Sequence, residues 1–444
     1  MKIKAIYIYL ALALWATLLG LSFRLTNFNT TGIAMILVFL TIILAIGGLL
    51  LRISHMRIQD FWAKVLYAIG FGLGFFLFIN LLAMICGLTL GQLVFANSFF
   101  ILVLFILSLW EDRREMYEIN FTFIKNKTIG EWALIIVSIS FGILAVLGVN
   151  SQAEKLVGDG GFHLAILEKV VTSKNLAADN LGVTKNATAN IVYGFPVWHI
   201  FLGFLSKVLN TGIFTVYIRV ILPVVILVLI VNFALIKIVF KNRFGAFAGF
   251  LAFNIYFLSA GAYFLLVPAR SPDSLARILL LPLILGLTVY YLYQAKDKKY
   301  LQVILIAILA IILGLIHFTQ LIDYVLILGV FALLSLIFNR KKEIFIKLGW
   351  LGLALFGLIV PYLFIFQFEN FRQFFANNAL AFRADTFTNK SFHDLGNFYL
   401  YTVFTLPLVV LFGQKNKRLV FLLAIPLTLM LVSWETFHLR VIFL

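Results

Sequence analysis

Residues 300–317 read YLQVILIAILAIILGLIH, and from Val303 to Ile316 no side chain is polar. At 1.5 Å per residue, eighteen residues of helix extend about 27 Å, close to the ~30 Å hydrocarbon thickness of a bilayer. Lys296, Lys298 and Lys299 precede the stretch, and the polar turn 317–323, HFTQLID, follows it. A second apolar run, 321–338, then ends at Arg340, Lys341 and Lys342. One side of this helix pair is basic, while the other carries a histidine and a carboxylate.

The same alternation runs through the chain. Apolar runs long enough to cross a membrane fall at 5–23, 32–51, 63–87, 91–110, 131–149, 213–237, 244–267, 275–293, 300–317, 321–338, 345–367, 399–413 and 419–434. The expected fold is therefore all-α: a polytopic helical membrane protein of about thirteen transmembrane helices. Basic residues set its orientation, because cytoplasmic loops are enriched in Lys and Arg. With the N-terminus in the cytoplasm, the inner segments hold Lys2 and Lys4; Arg52, Arg57 and Lys64; Arg113, Arg114, Lys125 and Lys127; and Lys237, Lys241 and Arg243. They continue with Lys296, Lys298 and Lys299; Arg340, Lys341, Lys342 and Lys347; and Lys415, Lys417 and Arg418. These are 22 of the 35 basic residues, so one rule orders every inner segment. The expected location is the cell membrane, as a multi-pass protein.

Composition agrees. Hydrophobic residues make up 63% of the 444 and charged residues 12%, which leaves too little polar surface for a water-soluble fold. The net charge of +17 does not point to nucleic acid, since the basic residues lie in short clusters between apolar runs. The single cysteine, Cys86, excludes an intrachain disulfide and a cysteine metal cluster. Walker A, HExxH and Gly-x-Ser-x-Gly motifs are absent, which removes the signatures of P-loop ATPases, zinc proteases and serine hydrolases.

The outer side has the long loops. Segment 150–212 balances its charges and exceeds the length of a mere connector. Within it, 162–172 and 195–209 read as helices lying at the membrane interface, the second opened by Pro196 and carrying Trp198. A second outer loop is 368–398. Five of the six histidines (His163, His199, His317, His393 and His438) fall on this side. Ionisable groups near hydrocarbon are costly, so their retention there calls for a function, although His and Trp also populate interfaces for packing alone.

Asp159 stands in Val-Gly-Asp-Gly-Gly-Phe-His, where flanking glycines allow close approach of a ligand. His163, four residues on, shares its helix face. The competing reading is an ordinary helix N-cap. Asp273 lies between Arg270 and Arg277, and guanidinium groups beside a carboxylate at headgroup depth suit phosphate binding. Here too a helix start explains the residues, with Ser271 or Asp273 as cap and Pro272 in the first turn. Asp323 follows in the next outer turn, either lining the same cavity or pairing with a neighbouring helix. His438 and Arg440 close the set of phosphate-binding candidates, with a snorkelling arginine as the plain alternative. The final Val-Ile-Phe-Leu reads as the opening of another span, so a truncated sequence is expected.

This order of elements resembles the GT-C superfamily of membrane glycosyltransferases. Asp159 in Gly-Asp-Gly-Gly-Phe-His, Tyr193-Gly-Phe-Pro-Val-Trp-His199 and Asp273 match its loop acids and its Pro-containing segment. The resemblance covers roughly residues 131–367, a seven-helix core, with 1–130 as a four-helix extension and 368–444 as an outer loop and C-terminal helices. It implies a polyprenyl-phosphate sugar as donor and a glycan, lipid or protein as acceptor at the outer face. It also implies inversion at the anomeric carbon, with Asp159 as catalytic base. Many relatives carry paired acids where Asp159 and Asp273 are single, so a divalent cation is left open and no other cofactor is implied. Two other functions fit the loops: a transporter or flippase of a polar lipid or solute, and a lipid-linked glycan polymerase or ligase.

Overall fold

The computed structural model describes residues 2–4, 31–56, 58–112, 118–120, 136, 140, 160–177, 196–240, 249, 270–295, 299–338, 341–362, 418 and 424. Helices dominate. They are α1 (Thr31–Ile53), α2 (Phe61–Ile85), α3 (Leu90–Asp112), α4 (Gly160–Thr172), α5 (Val197–Leu209), α6 (Ile213–Arg219) and α7 (Ile221–Val239). After α8 (Pro272–Leu275) and a π-helical turn (Ala276–Leu280) come α9 (Leu281–Tyr293), α10 (Lys299–Ile316), α11 (Phe318–Phe338) and α12 (Lys342–Tyr362). Two three-residue strands, β1 (Lys2–Lys4) and β2 (Glu118–Asn120), pair antiparallel with Ile3 opposite Ile119.

Among the described residues, eight helical segments are long and apolar enough to cross a membrane. They coincide with eight of the thirteen expected runs, and the protein is a multi-pass helical membrane protein with the bilayer as its solvent. The runs 5–23, 131–149, 244–267, 399–413 and 419–434 lie outside the described residues, apart from isolated positions. The segment Pro272–Tyr293 is 83% buried and forms the centre, whereas α3, at 17%, lies on the rim. Rim helices turn Phe95, Phe99, Leu333, Ile337, Leu353 and Phe356 outward, as lipid contact requires.

Helices α1 and α2 meet at glycines. A Cβ on Gly47 would collide with the carbonyl oxygen of Ala68, and one on Gly72 with that of Ile43. Close backbone approach is how helices gain contact where lipid removes the hydrophobic drive to associate. Polar groups inside the bundle find one another: the Tyr67 hydroxyl donates to Gln302 Oε1 at 2.6 Å, and Thr288 Oγ1 lies 2.8 Å from the Tyr324 hydroxyl.

The central span is irregular for a local reason. Pro282 has no N–H, so the carbonyl of Ile278 loses its usual donor. The Leu281 N–H reaches back five residues to Ala276, closing a π turn. Asn232 of α7 sends its Nδ2 to the orphaned Ile278 carbonyl at 3.4 Å. A neighbouring helix thus satisfies a backbone group that hydrocarbon cannot.

Contacts between helices sort the bundle into two ends. At one, Arg418 Nη1 donates to the Ile238 carbonyl at 2.6 Å, and Lys347 Nζ donates to the carbonyls of Leu292 at 3.0 Å and Ala295 at 3.4 Å. At the other, the Leu176 N–H donates to the Leu88 carbonyl at 2.8 Å, and Asn80 Nδ2 donates to that of Val197 at 3.1 Å. Among the described residues, the first end brings together parts of α7, α9 and α12 whose flanking lysines and arginines are expected inside, and the second brings together parts of segments expected outside.

Candidate functional site at the end opposite the lysines

Helix α5 organises this end. Thirteen residues extend about 20 Å, too short for a span. Eleven of the thirteen are buried, so α5 packs into the bundle on all sides instead of resting one apolar face on a surface. Phe201 sits edge-on to Phe39 at 5.6 Å and 5.5 Å from Phe76, and Gly203 lets Val170 of α4 come close. The Trp198 indole N–H donates to the Arg270 carbonyl at 2.8 Å, which ties α5 to the start of the central span.

The packing brings His199 against His163 of α4. Their rings stack at 5.3 Å, with His199 Nε2 3.3 Å from His163 Nδ1, and both side chains are buried. Burial and the His163 ring push His199 down to about 3, so it is neutral at physiological pH. Its Nδ1 is buried with no hydrogen-bond partner. One proton is shared between His199 Nε2 and His163 Nδ1, and the tautomer sets which ring donates it.

A second cluster surrounds Asp273. Ser271 takes the N-cap position of α8 with Pro272 in the first turn, but its hydroxyl makes no capping bond. Asp273 turns instead to Arg277, whose Nη2 lies 3.1 Å from Oδ1. His317, at the junction of α10 and α11, places Nε2 3.3 Å from the same Oδ1. Burial lowers the His317 pKa; the Asp273 carboxylate opposes that and Arg277 adds to it, leaving the imidazole below its ordinary value. Arg277 also lies near enough to Asp323 for the two charges to interact. Half of the Arg277 side chain is exposed, against a third of Asp273, so the guanidinium can meet a ligand from the open side.

The candidate residues therefore divide. Asp273 and Arg277 come together, joined by His317, which the sequence placed on this side without a role, while Asp323 makes no ion pair with them and feels only the Arg277 charge. His163 pairs with His199 a short way along the same end. Arg270 is 2% exposed and holds its guanidinium 5.0 Å from the centre of the Tyr217 ring, so it braces α6 and α5 rather than facing outward. Burial lowers its pKa, which the Tyr217 ring and hydroxyl partly offset. Asp159, His438 and Arg440 lie outside the described residues. Among the described residues, no group of three or more His, Cys, Asp or Glu side chains is placed to hold a metal ion.

An apolar cavity of about 560 Å³ runs between α11 and α12, lined by Leu321, Ile322, Val325, Phe356 and Ile359. Leu321 and Ile322 immediately precede Asp323 in sequence, so the cavity reaches the first turns of α11. An exposed guanidinium and an apolar slot together suit an amphiphile with an anionic head and a hydrocarbon tail. Comparison with known protein families, curated proteins and solved structures returns no match.

Proposed function

We propose that this protein is a membrane glycosyltransferase. It moves a sugar from a polyprenyl-phosphate donor to an acceptor hydroxyl on a glycan, lipid or protein at the outer face of the cell membrane. The N-terminus is cytoplasmic in this reading, by the distribution of lysine and arginine. The observation that carries the proposal is the partly exposed Asp273–Arg277–His317 cluster at the end of the bundle opposite the lysine-rich segments. Arg277 takes the donor phosphate in a charge-assisted contact, with Asp273 fixing the planar fork. The first isoprenoid units lie between α11 and α12. Arg270 holds the outer end in shape, and His438 and Arg440 are further phosphate ligands implied by the resemblance.

Asp159 acts as general base. It takes the proton of the acceptor hydroxyl as the oxygen attacks the anomeric carbon. The bond from that carbon to the phosphate oxygen breaks, and polyprenyl phosphate leaves with the electron pair, inverting the centre. Proton removal by a placed carboxylate contributes about 10²–10⁴-fold.

The test is a deletion strain analysed by mass spectrometry of its lipid-linked sugars and surface glycans. The polyprenyl-phosphate sugar accumulates and one glycan residue disappears. Wild-type protein restores both, and Asp159→Asn restores neither at equal membrane abundance. Unchanged donor and glycan pools would end this reading. Loss of lipid movement across the bilayer with intact transfer would identify a flippase. Loss of whole-chain attachment, with every single-sugar step retained, would identify a polymerase or ligase.

A further inference from the structure

At the lysine-rich end a second cavity, of about 710 Å³, opens between α10 and α12. Small-molecule sites run roughly 300–1,000 Å³, so this one has room for a ligand. Its rim is charged and aromatic. Lys299 is 46% exposed, Lys347 stands behind it, and Tyr300 and Trp350 are both more than half exposed. Its apolar side is formed by the buried Val303 and by Ile304 and Leu353, which face the lipid. Tyrosine and tryptophan at such a boundary mark headgroup depth, with hydrocarbon beneath.

Charge selects the occupant. Lys299 and Lys347 line the cavity against Glu343, and in sequence the stretches 296–299 and 340–347 add Lys296, Lys298, Arg340, Lys341 and Lys342 against Asp297. Helices α10 and α12 both start here, so their amide ends add to the positive field. Glu343 lies 3.0 Å from Lys347 Nζ and 3.6 Å from Lys299 Nζ. Lys347 is also committed to the carbonyls of Leu292 and Ala295, which leaves Lys299 as the more available cation.

We propose that this groove binds an anionic glycerophospholipid, with its phosphate at Lys299 and one acyl chain against Val303, Ile304 and Leu353. The site belongs to the opposite end from the transferase reading and stands without it. Basic recesses between helices at the cytoplasmic face are places where acidic headgroups settle.

Trp350 provides the readout. The full-length protein is placed in nanodiscs containing phosphatidylglycerol or phosphatidylcholine with brominated acyl chains, at equal mole fraction. The emission of Trp350 is isolated by subtracting a Trp350→Phe variant. Brominated phosphatidylglycerol quenches Trp350 more strongly than phosphatidylcholine does. Lys299→Gln reduces that preference about fivefold, the weight of one basic residue near an acidic surface. Glu343→Gln increases it, by removing the local repulsion. Lys64→Gln, an exposed lysine at the same end on α2, leaves it unchanged. Equal quenching by the two lipids overturns the proposal. So does an equal loss from Lys299→Gln and Lys64→Gln, which would mean attraction to the whole surface and no defined site. Lys299 is half exposed, so its substitution leaves the fold intact, as a thermal melt in the same nanodiscs verifies.

Discussion

The two ends of this bundle hold their charges in opposite ways. At the lysine-rich end, the buried Lys347 and the part-buried Arg418 donate to backbone carbonyls of Leu292, Ala295 and Ile238, close to where α9 and α7 stop, and the exposed Glu343 adds a side-chain partner to Lys347. A cation there satisfies acceptors that a helix C-terminus leaves open, and it meets the negative end of the dipole. At the opposite end the partners are side chains: Arg277 with Asp273, Asp273 with His317, His163 with His199. Backbone acceptors are fixed, so cations bound to them secure architecture. Side-chain partners can exchange for a ligand, so the same kind of charge becomes available for chemistry.

Substitutions separate these roles. On the proposed glycosyltransferase reading, Arg277→Gln removes the exposed guanidinium and sugar-transfer turnover falls about 10²-fold, the scale of losing one preorganised charge donor. A lipid-linked donor assay in proteoliposomes reads this, and unchanged turnover would strip Arg277 of its role. Lys347→Met acts inversely. It strands two carbonyls, lowering stability by about 1.5–3 kcal/mol in a reversible unfolding assay, while turnover per folded molecule is unchanged.

The histidine pair gives a pH effect of slightly smaller size. The unfolded His199 gains its proton near pH 6.5, but the folded one resists until about 3. The unfolded state therefore binds more protons as pH falls through that window, and folded stability drops. From about pH 7 to about pH 5 the loss is about 2 kcal/mol, and His199→Gln abolishes that part of the slope. Equal slopes in both proteins would show that the pair does not titrate as its burial requires. The smallest effect belongs to Asp273→Asn on stability, under about 1 kcal/mol because the pair with Arg277 is half solvated.

Much of the architecture was legible in the sequence. Eight of the expected runs are helices within a few residues, and sorting lysine and arginine by loop anticipates which segments share an end. Both signals are local, requiring only length, hydropathy and charge. What was hidden depends on contacts between distant positions. Asp273 and His317 belong to different spans, and nothing in either segment announces the 3.3 Å approach. Arg270 and Arg277 look equivalent in PARSPDSLAR, yet one is buried on Tyr217 and the other half exposed, because Trp198 holds the Arg270 backbone. His199 and His317 carried a faint signal, being polar residues at span ends on the candidate side. The amphipathic reading of 195–209 did not foresee a helix covered on all faces, since its cover comes from α1, α2 and α4. Pro282 was visible, but the need for Asn232 was not.

The glycine seam between α1 and α2 has a mechanical consequence. Two helices that mesh side chain to side chain can ratchet by small rotamer changes. Two that touch backbone to backbone at Gly47 and Gly72 must first separate. These two helices are therefore locked against sliding past one another. Gly72→Val would force them apart before any other part of the protein had to shift.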